Sequence, residues 1–503
     1  MVSSKHGTEL RGLARSVLQP GFVGTEAPDW VLREIADGLA SVVLFSRNIV
    51  TPEQVARLTG RLRAENPELI IAIDEEAGDV TRIESATGST RPGNFALGTV
   101  DDTELTEAVA ADLGRQLRAI GVSLDYAPSA DVNSNPDNPI IGVRSFGVHA
   151  KVVSRHTGAW IRGLQSAGVA ACAKHFPGHG DVAVDSHHGL PVYDADREQI
   201  AEQALPPFRA ALAAGVRAVM SGHLLVPAYD PDLPATLSRR ILHRLLREEL
   251  GFDGIVVTDA IEMGAVADRY GIGGAAVRAV AAGADAVCVG GENAEEATAR
   301  QLVDALANAV VSGGLAEERL AEAAHRVRGF ASWSTGLRPV HAADWDAGRI
   351  GFAAARRAIR LHGAVQSVLP LVNAPHVVEL VPTTNLAIGK ETPWGVATPL
   401  GERLPGTTSV RVRREDLRSP VTALEAHALA PATGRPLVVV VRDASRHPWM
   451  ARALAHLLAA RPDTIVVEMG LPGTPLPATA QIFTHGATAA SGVAAAEVLA
   501  GAL

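Results

Sequence analysis

The stretch GIVVTD, residues 254–259, sets four β-branched residues in a row and then stops on a carboxylate. A run that is apolar on both faces does not suit a sheet with one wet side. It suits a parallel strand covered by helices above and below. The same pattern recurs in SVVLF (41–45), LIIAI (69–73), GVSLDYAP (121–128), GVAACA (168–173), VRAVMSG (216–222) and DAVCV (285–289). Helix-like segments lie between them, at 102–119, 151–166, 195–213, 237–250 and 294–311. With an irregular first strand near Val17–Gly24, the series predicts an α/β fold: a (β/α)8 TIM-like barrel over residues 1–335. An open doubly wound sheet is the alternative, but no G-x-G-x-x-G follows an early strand.

Working outward, the rhythm breaks at 329–345, and residues 336–360 read as a linker with a helix near 350–361. Beyond it come strand-like runs at 376–381, 408–413, 436–442 and 464–470, with helical segments at 447–461 and 488–502. These predict a smaller three-layer α/β domain over 361–503. A chain of 503 residues is long enough for two cores, and 47% hydrophobic with 20% charged residues is ordinary globular composition. A net charge of −9 supplies no basic face for nucleic acid or an anionic membrane. Cys172 and Cys288 each sit in an apolar run and read as buried, reduced thiols. The first residues lack the apolar core of a signal peptide and no run is long enough to span a bilayer, so a cytoplasmic location is expected. The oligomeric state is not legible in the sequence.

The strands share a feature at their ends. LIIAI runs into Asp74, GVAACA into Lys174-His175, VRAVMSG into His223 and GIVVT into Asp259. In a (β/α)8 barrel these positions gather on the one face that carries active sites. The densest polar stretch, KHFPGHGDVAVDSHHGLP (174–191), begins at one of them. Three chemistries suit such a mouth: metal-assisted hydrolysis, acid/base catalysis with a carboxylate nucleophile, or silent sugar binding. For a metal, neither H-x-H after the first strand nor H-E-x-x-H is present. His187 and His188 are adjacent, so on a regular strand they point opposite ways. The expectation is no metal and no cofactor.

The stretch 174–191 resembles the signature of bacterial β-N-acetylglucosaminidases of glycoside hydrolase family 3. GLASVVLFSRNI (38–49), IDEEAGDVTR (73–82), DYAPSADVN (125–133), NPIIGVRSFG (138–147) and GFDGIVVTDAIEMGAV (251–266) are similar to that family in the same order. The likeness is close over residues 9–330 and looser beyond. One departure is DEEAG, where the family more often has Gln and a Gly-Gly pair, so Glu75 and Ala77 differ.

The resemblance implies an exo-acting, retaining enzyme that removes terminal GlcNAc from muropeptide or chitin fragments. It implies Asp259 as the nucleophile, His187 as general acid/base and Asp185 as the partner that orients His187. It also implies that Asp74, Arg82, Arg144, Lys174 and His175 bind the terminal sugar. The chemistry agrees, since retention needs a carboxylate on one side of C1 and a proton donor on the other. Glu262, three residues past Asp259, is a weaker candidate for the nucleophile. Gly178, Gly180 and Gly189 are read as letting the loop move, and His179 and His188 as structural or solvated. A phosphorylase or β-glucosidase-like enzyme of the same family remains open, as does a sugar-binding protein. The only partner expected is a small carbohydrate.

Overall fold

The computed structural model describes residues 4–186, 189–335, 348–383, 388–389, 392–417 and 419–502. Residues 336–347 of the linker expected at 336–360 lie outside the described residues. The chain forms two compact units. The first comprises Met1–Glu76, Thr106–Ile141 and Gly147–Trp345; the second comprises Ala77–Leu105, Gly142–Phe146 and Asp346–Leu503. The boundary expected from sequence lies near residue 335, and two short earlier segments group with the later part of the chain.

In the first unit, strands β1 (Leu18–Pro20), β2 (Ser41–Leu44), β3 (Ile70–Ile73), β4 (Leu124–Asp125), β5 (Ala170–Phe176), β6 (Ala218–Ser221), β7 (Ile255–Thr258) and β8 (Val287–Val289) alternate with helices. Strands β2 to β7 form one six-stranded parallel sheet in sequential order, and β1 pairs with β8 in parallel. Backbone bonds also run between the β7 and β8 regions, from Thr258 N to the Ala286 carbonyl at 3.0 Å and from Ala286 N to the Val256 carbonyl at 3.1 Å. The buried pattern of β3 and β7 is unbroken, as two-sided cover requires.

Two strands differ from the expected extents. Strand β4 is only two residues long, Leu124–Asp125. Irregular bonds continue the contact, including Tyr126 N to Ile73 O at 2.8 Å and Cys172 N to Ala127 O at 2.9 Å. Strand β5 instead extends through Lys174 and His175 to Phe176, so both polar residues belong to the strand itself.

The helix expected at 195–213 is two helices, Arg197–Gln203 and Leu205–Ala213. Pro206 and Pro207 interrupt the bonding ladder and open the second helix at its first turn, where a missing N–H costs little. Asp196 caps the first helix, accepting from Gln199 N at 2.8 Å while Gln199 Oε1 accepts from Asp196 N at 3.1 Å. Helix Ala150–Ser166 lies so close to helix Thr103–Ala119 that a Cβ on Gly163 would stand 2.1 Å from the Glu107 carbonyl oxygen. Only glycine permits that approach.

Inside the sheet the buried side chains follow a period of two. Ile70 and Ala72, Leu124 and Tyr126, Ala170 and Cys172, Ala218 and Met220, Ile255 and Val257, and Ala286 and Cys288 pack into one apolar cluster. Val327, Phe330 and Ala331, from the helix Glu317–Thr335, join it. Each pair is separated by one residue, so one face of each of these six chain segments supplies the cluster.

The second unit is built on β9 (Arg360–Gly363), β10 (His376–Val381), β11 (Thr408–Arg413), β12 (Leu437–Val441), β13 (Ile465–Glu468) and β14 (Ala480–Phe483), in the order β11-β10-β12-β13-β14-β9. All neighbours are parallel except β9, which runs antiparallel to β14. Val439 and Val441 of β12 pack with Leu454 and Leu457 of the helix Pro448–Ala460. Val438 and Val440 of the same strand pack with Ala495 and Leu499 of the helix Ala489–Ala500. Alternate residues of one strand thus serve two opposite cores. Among the described residues no helix is long and apolar enough to cross a membrane.

Candidate active site

The polar residues at the strand ends continue the same period of two. After Ile70 and Ala72 comes Asp74; after Ala170 and Cys172 comes Lys174; after Ile255 and Val257 comes Asp259. All three therefore fall on the face that carries the apolar cluster, one step beyond its end. Burial pushes the Cys172 thiol up, and the charges of Lys174, Asp125, Asp74 and Asp259 also act on it.

Lys174 is 2% exposed, and a buried ammonium group needs carboxylates. It has two. Its Nζ bonds the Asp74 carboxylate and lies 2.7 Å from Glu76 Oε1. The turn holding those carboxylates is fixed from β4, where Asp125 Oδ1 accepts the Glu75 N–H at 2.9 Å. Asp125 is wholly enclosed, and burial lifts its pKa well above the usual carboxylate range despite that bond and Lys174.

His175 is held by Asp131, which follows β4. Its Nδ1 lies 2.7 Å from Asp131 Oδ2, and its backbone N–H also donates to that carboxylate. Asp131 Oδ1 accepts the His179 N–H at 2.7 Å, and Ser129 Oγ donates to Oδ2 at 3.1 Å. Burial pushes the pKa of Asp131 up, but the charge and N–H of His175 and the neighbouring His179 outweigh it, and the net shift is downward. His179 is buried, not solvated, with its pKa pushed down to about 4, by burial first and then by His175. It is neutral at physiological pH.

Asp259 stands just past β7, its N–H bonded to Ser221 O at 3.1 Å and its Oδ1 accepting from Ala260 N at 2.8 Å. His223 braces the next residue, its Nε2–H donating to the Ala260 carbonyl at 3.0 Å. Glu262 turns elsewhere. Its Oε1 collects the N–H groups of Gly290 and Gly291, at 2.8 and 2.6 Å, in the loop after β8. Burial raises its pKa, against the pull of those backbone groups. Glu262 is thus a fastener for that loop.

Asp185 is partly exposed, and its carbonyl accepts from Gly189 N at 3.2 Å. His187 and His188 lie outside the described residues. Arg82 and Arg144 stand on the two short segments that group with the second unit. Two of the glycines shape the backbone. Gly178 has a φ of +130°, and a Cβ on Gly180 would stand 1.7 Å from the Val132 carbonyl oxygen, so both are needed for backbone shape and close packing. Sequence reasoning passed over Glu76 and Asp131, although both lie inside the quoted motifs IDEEAGDVTR and DYAPSADVN. Among the described residues no group of three or more His, Cys, Asp or Glu side chains is arranged to hold a metal ion.

A buried cation between carboxylates, a carboxylate-held imidazole and a rigid strand-end carboxylate suit a polar, multiply hydroxylated ligand. Comparison with known proteins gives the same direction. Residues 25–329 match the glycosyl hydrolase family 3 N-terminal domain. The β-hexosaminidase A of Pseudoalteromonas piscicida is 34% identical over 314 residues, covering 58% of this chain and 52% of that protein. A β-hexosaminidase of Stenotrophomonas maltophilia is 36% identical over 279 residues, covering 54% of this chain and 82% of that one. The alignment thus spans about half the length of the first relative. The solved structure of a glycoside hydrolase family 3 β-N-acetylglucosaminidase from Paenibacillus sp. str. FPU-7 superposes with a TM-score of 0.85 at 34% identity, covering 98% of this chain and 97% of that one.

The downward shift of Asp131 makes a pH-dependent contribution to stability. Its folded pKa lies below the unfolded value of about 3.9, so its contribution is present above that pH and disappears as pH falls through the folded value. Asp131→Asn should cost about 1–3 kcal/mol at pH 7 by weakening buried charged hydrogen bonds. The gap to wild type should close below about pH 4. Thermal unfolding from pH 7 to pH 3 checks this; a gap that stays constant would show that the charge contributes nothing.

Proposed function

The chain belongs to glycosyl hydrolase family 3, and on that footing we propose that it is an exo-acting, retaining β-N-acetylglucosaminidase. The observation that carries the reading is the strand-end carboxylate of Asp259, on the same face as Lys174 and Asp74, with the rival Glu262 committed to the β8 loop. The substrate is a small carbohydrate, a β-linked GlcNAc glycoside from muropeptide or chitin fragments.

In this mechanism a carboxylate oxygen of Asp259 attacks the anomeric carbon as the glycosidic C–O bond breaks. The departing oxygen takes a proton from His187, which Asp185 orients. Water then attacks the glycosyl–enzyme ester, giving its proton to the same imidazole, and releases GlcNAc with retention. Asp74, Arg82, Arg144, Lys174 and His175 hold the sugar. Lys174 and Asp74 together offer a donor and an acceptor to adjacent hydroxyls, and the carboxylate bond from Asp131 sets which ring nitrogen His175 presents. No step needs a metal or cofactor.

The two parallel sheets of the first unit are read as one closed (β/α)8 barrel. The bonds between the β7 and β8 regions, the β8–β1 pairing and the 2.9 Å bond from Ser41 Oγ to Leu18 O support that reading. Residues 361–503 are read as a separate α/β domain, and the two buried free thiols suit a reducing compartment such as the cytoplasm.

Product analysis on a GlcNAc disaccharide, with and without inorganic phosphate, tests the activity. Free GlcNAc in both is expected. GlcNAc 1-phosphate would make the protein a phosphorylase, and binding without turnover would make it a sugar-binding protein.

A fluorinated glycoside that traps the intermediate should label Asp259, as read by peptide mass spectrometry, and Asp259→Asn should abolish labelling. A label on Glu262 would move the nucleophile.

His187→Ala separates an acid from a sugar contact. A general acid contributes ~10²–10⁴-fold, and most where the leaving group is basic. Cleavage of the disaccharide should collapse, whereas glycosylation by a nitrophenyl glycoside should slow far less. Azide should restore turnover of the nitrophenyl substrate. Equal losses on both substrates, without azide rescue, would assign His187 to binding or folding.

A further inference from the structure

The segment that carries Arg82 is fastened from the far end of the chain. Arg442 follows β12, and its Nη2 donates to Asp79 Oδ2 at 2.6 Å, with the two side chains only 4% and 1% exposed. The other Asp79 oxygen, Oδ1, accepts the N–H of Ala487, beyond β14, at 2.8 Å. One carboxylate is therefore gripped from the ends of two strands of the second unit's sheet. Farther along the segment, Ala490 N donates to Ser89 O at 3.1 Å. A Cβ on Gly486 would stand 2.5 Å from the Pro92 carbonyl oxygen, so the backbones are in direct contact there. Asn94, on the same segment, donates from Nδ2 to the Arg144 carbonyl at 2.7 Å.

Arg82 is three residues from Asp79, so its backbone lies within about 11 Å of that anchor even at full extension. The intervening Thr81 is fully buried and caps the following turn, accepting from Glu84 N at 3.1 Å. A buried ion pair is a poor device for stability alone, because an apolar pair of equal volume often does as well. It is better suited to selecting one conformation.

We propose that Arg442 is a positioning residue: through Asp79 it sets where Arg82 presents its guanidinium to the sugar. This rests on the reading of Arg82 as a sugar contact in a GlcNAc hydrolase. It gives the C-terminal residues a part in substrate affinity although none of them reacts. The chemistry required of the ligand is that of a neutral sugar with hydroxyl or acetamido acceptors, which a rigid guanidinium reads by direction.

The test is a double-mutant cycle on the full chain, using 4-nitrophenyl N-acetyl-β-glucosaminide and reading KM and kcat separately, with thermal unfolding alongside. Arg442→Met should raise KM ~10-fold or more with kcat changed less than ~3-fold, the pattern of lost uniform binding. In an Arg82→Ala background the same substitution should change KM less than ~2-fold, because the residue it positions is gone. An equal KM penalty in both backgrounds would overturn the proposal, since a merely structural role adds independently. Arg442→Lys keeps the charge but loses the planar fork. It should give an intermediate KM, and it carries the same cycle if the methionine variant does not fold. Wild-type protein that releases no nitrophenol would instead sink the hydrolase reading, and the inference with it.

Discussion

A strand can aim alternate side chains at only two faces, and that parity governs the first unit. The residues that fill its interior on β3, β5 and β7 are followed, two positions on, by Asp74, Lys174 and Asp259. The apolar cluster and the polar site are the lower and upper parts of the same columns. Shifting any of these strands by one residue would turn its polar end group away and bring its outward-facing residues into the core. Fold and site are locked by the same register.

Collecting charge at the end of an apolar column has an electrostatic cost, met by local pairing. Lys174 is enclosed with Asp74 and Glu76, and His175 with Asp131. Asp131 also takes the backbone N–H groups of His175 and His179, and Asp125 takes that of Glu75, so rotating either carboxylate breaks a bond to the main chain. Glu262 and Asp259 are three residues apart and chemically alike, yet one fastens a loop and the other ends a rigid strand. Their environments separate them, not their chemistry.

The second unit repeats the logic with a six-stranded sheet of its own. Alternate valines of β12 feed cores on opposite faces, and the strand ends carry the polar residues Arg442 and Glu468. Glu468 is buried and its pKa is pushed up to about 8, by burial first and then by Asp443. It accepts N–H groups from Asp443, Ala444 and Gly470, fixing the turns beyond β12 and β13. Arg442 leaves the strand between these fixed turns, which is why its guanidinium can serve as a rigid anchor for Asp79.

Local pattern made much of this legible. Runs such as LIIAI, GIVVT and PLVVVVR announce covered parallel strands because burial on both faces leaves no polar alternation. The polar residues ending those runs, and the ordered motifs around them, pointed to the site and to the family. Tertiary structure alone decided the pairings. Lys174 meets Asp74 across 100 residues of chain and Arg442 meets Asp79 across 363, and no local period encodes such partners. It also decided that Glu76 and Asp131 support the site, that Gly180 serves close packing, and that Arg82 and Arg144 are held with the C-terminal residues. The physical reason is range. Burial and periodicity act within a few residues, whereas ion pairing and close packing depend on which distant segments the fold brings within a few ångströms.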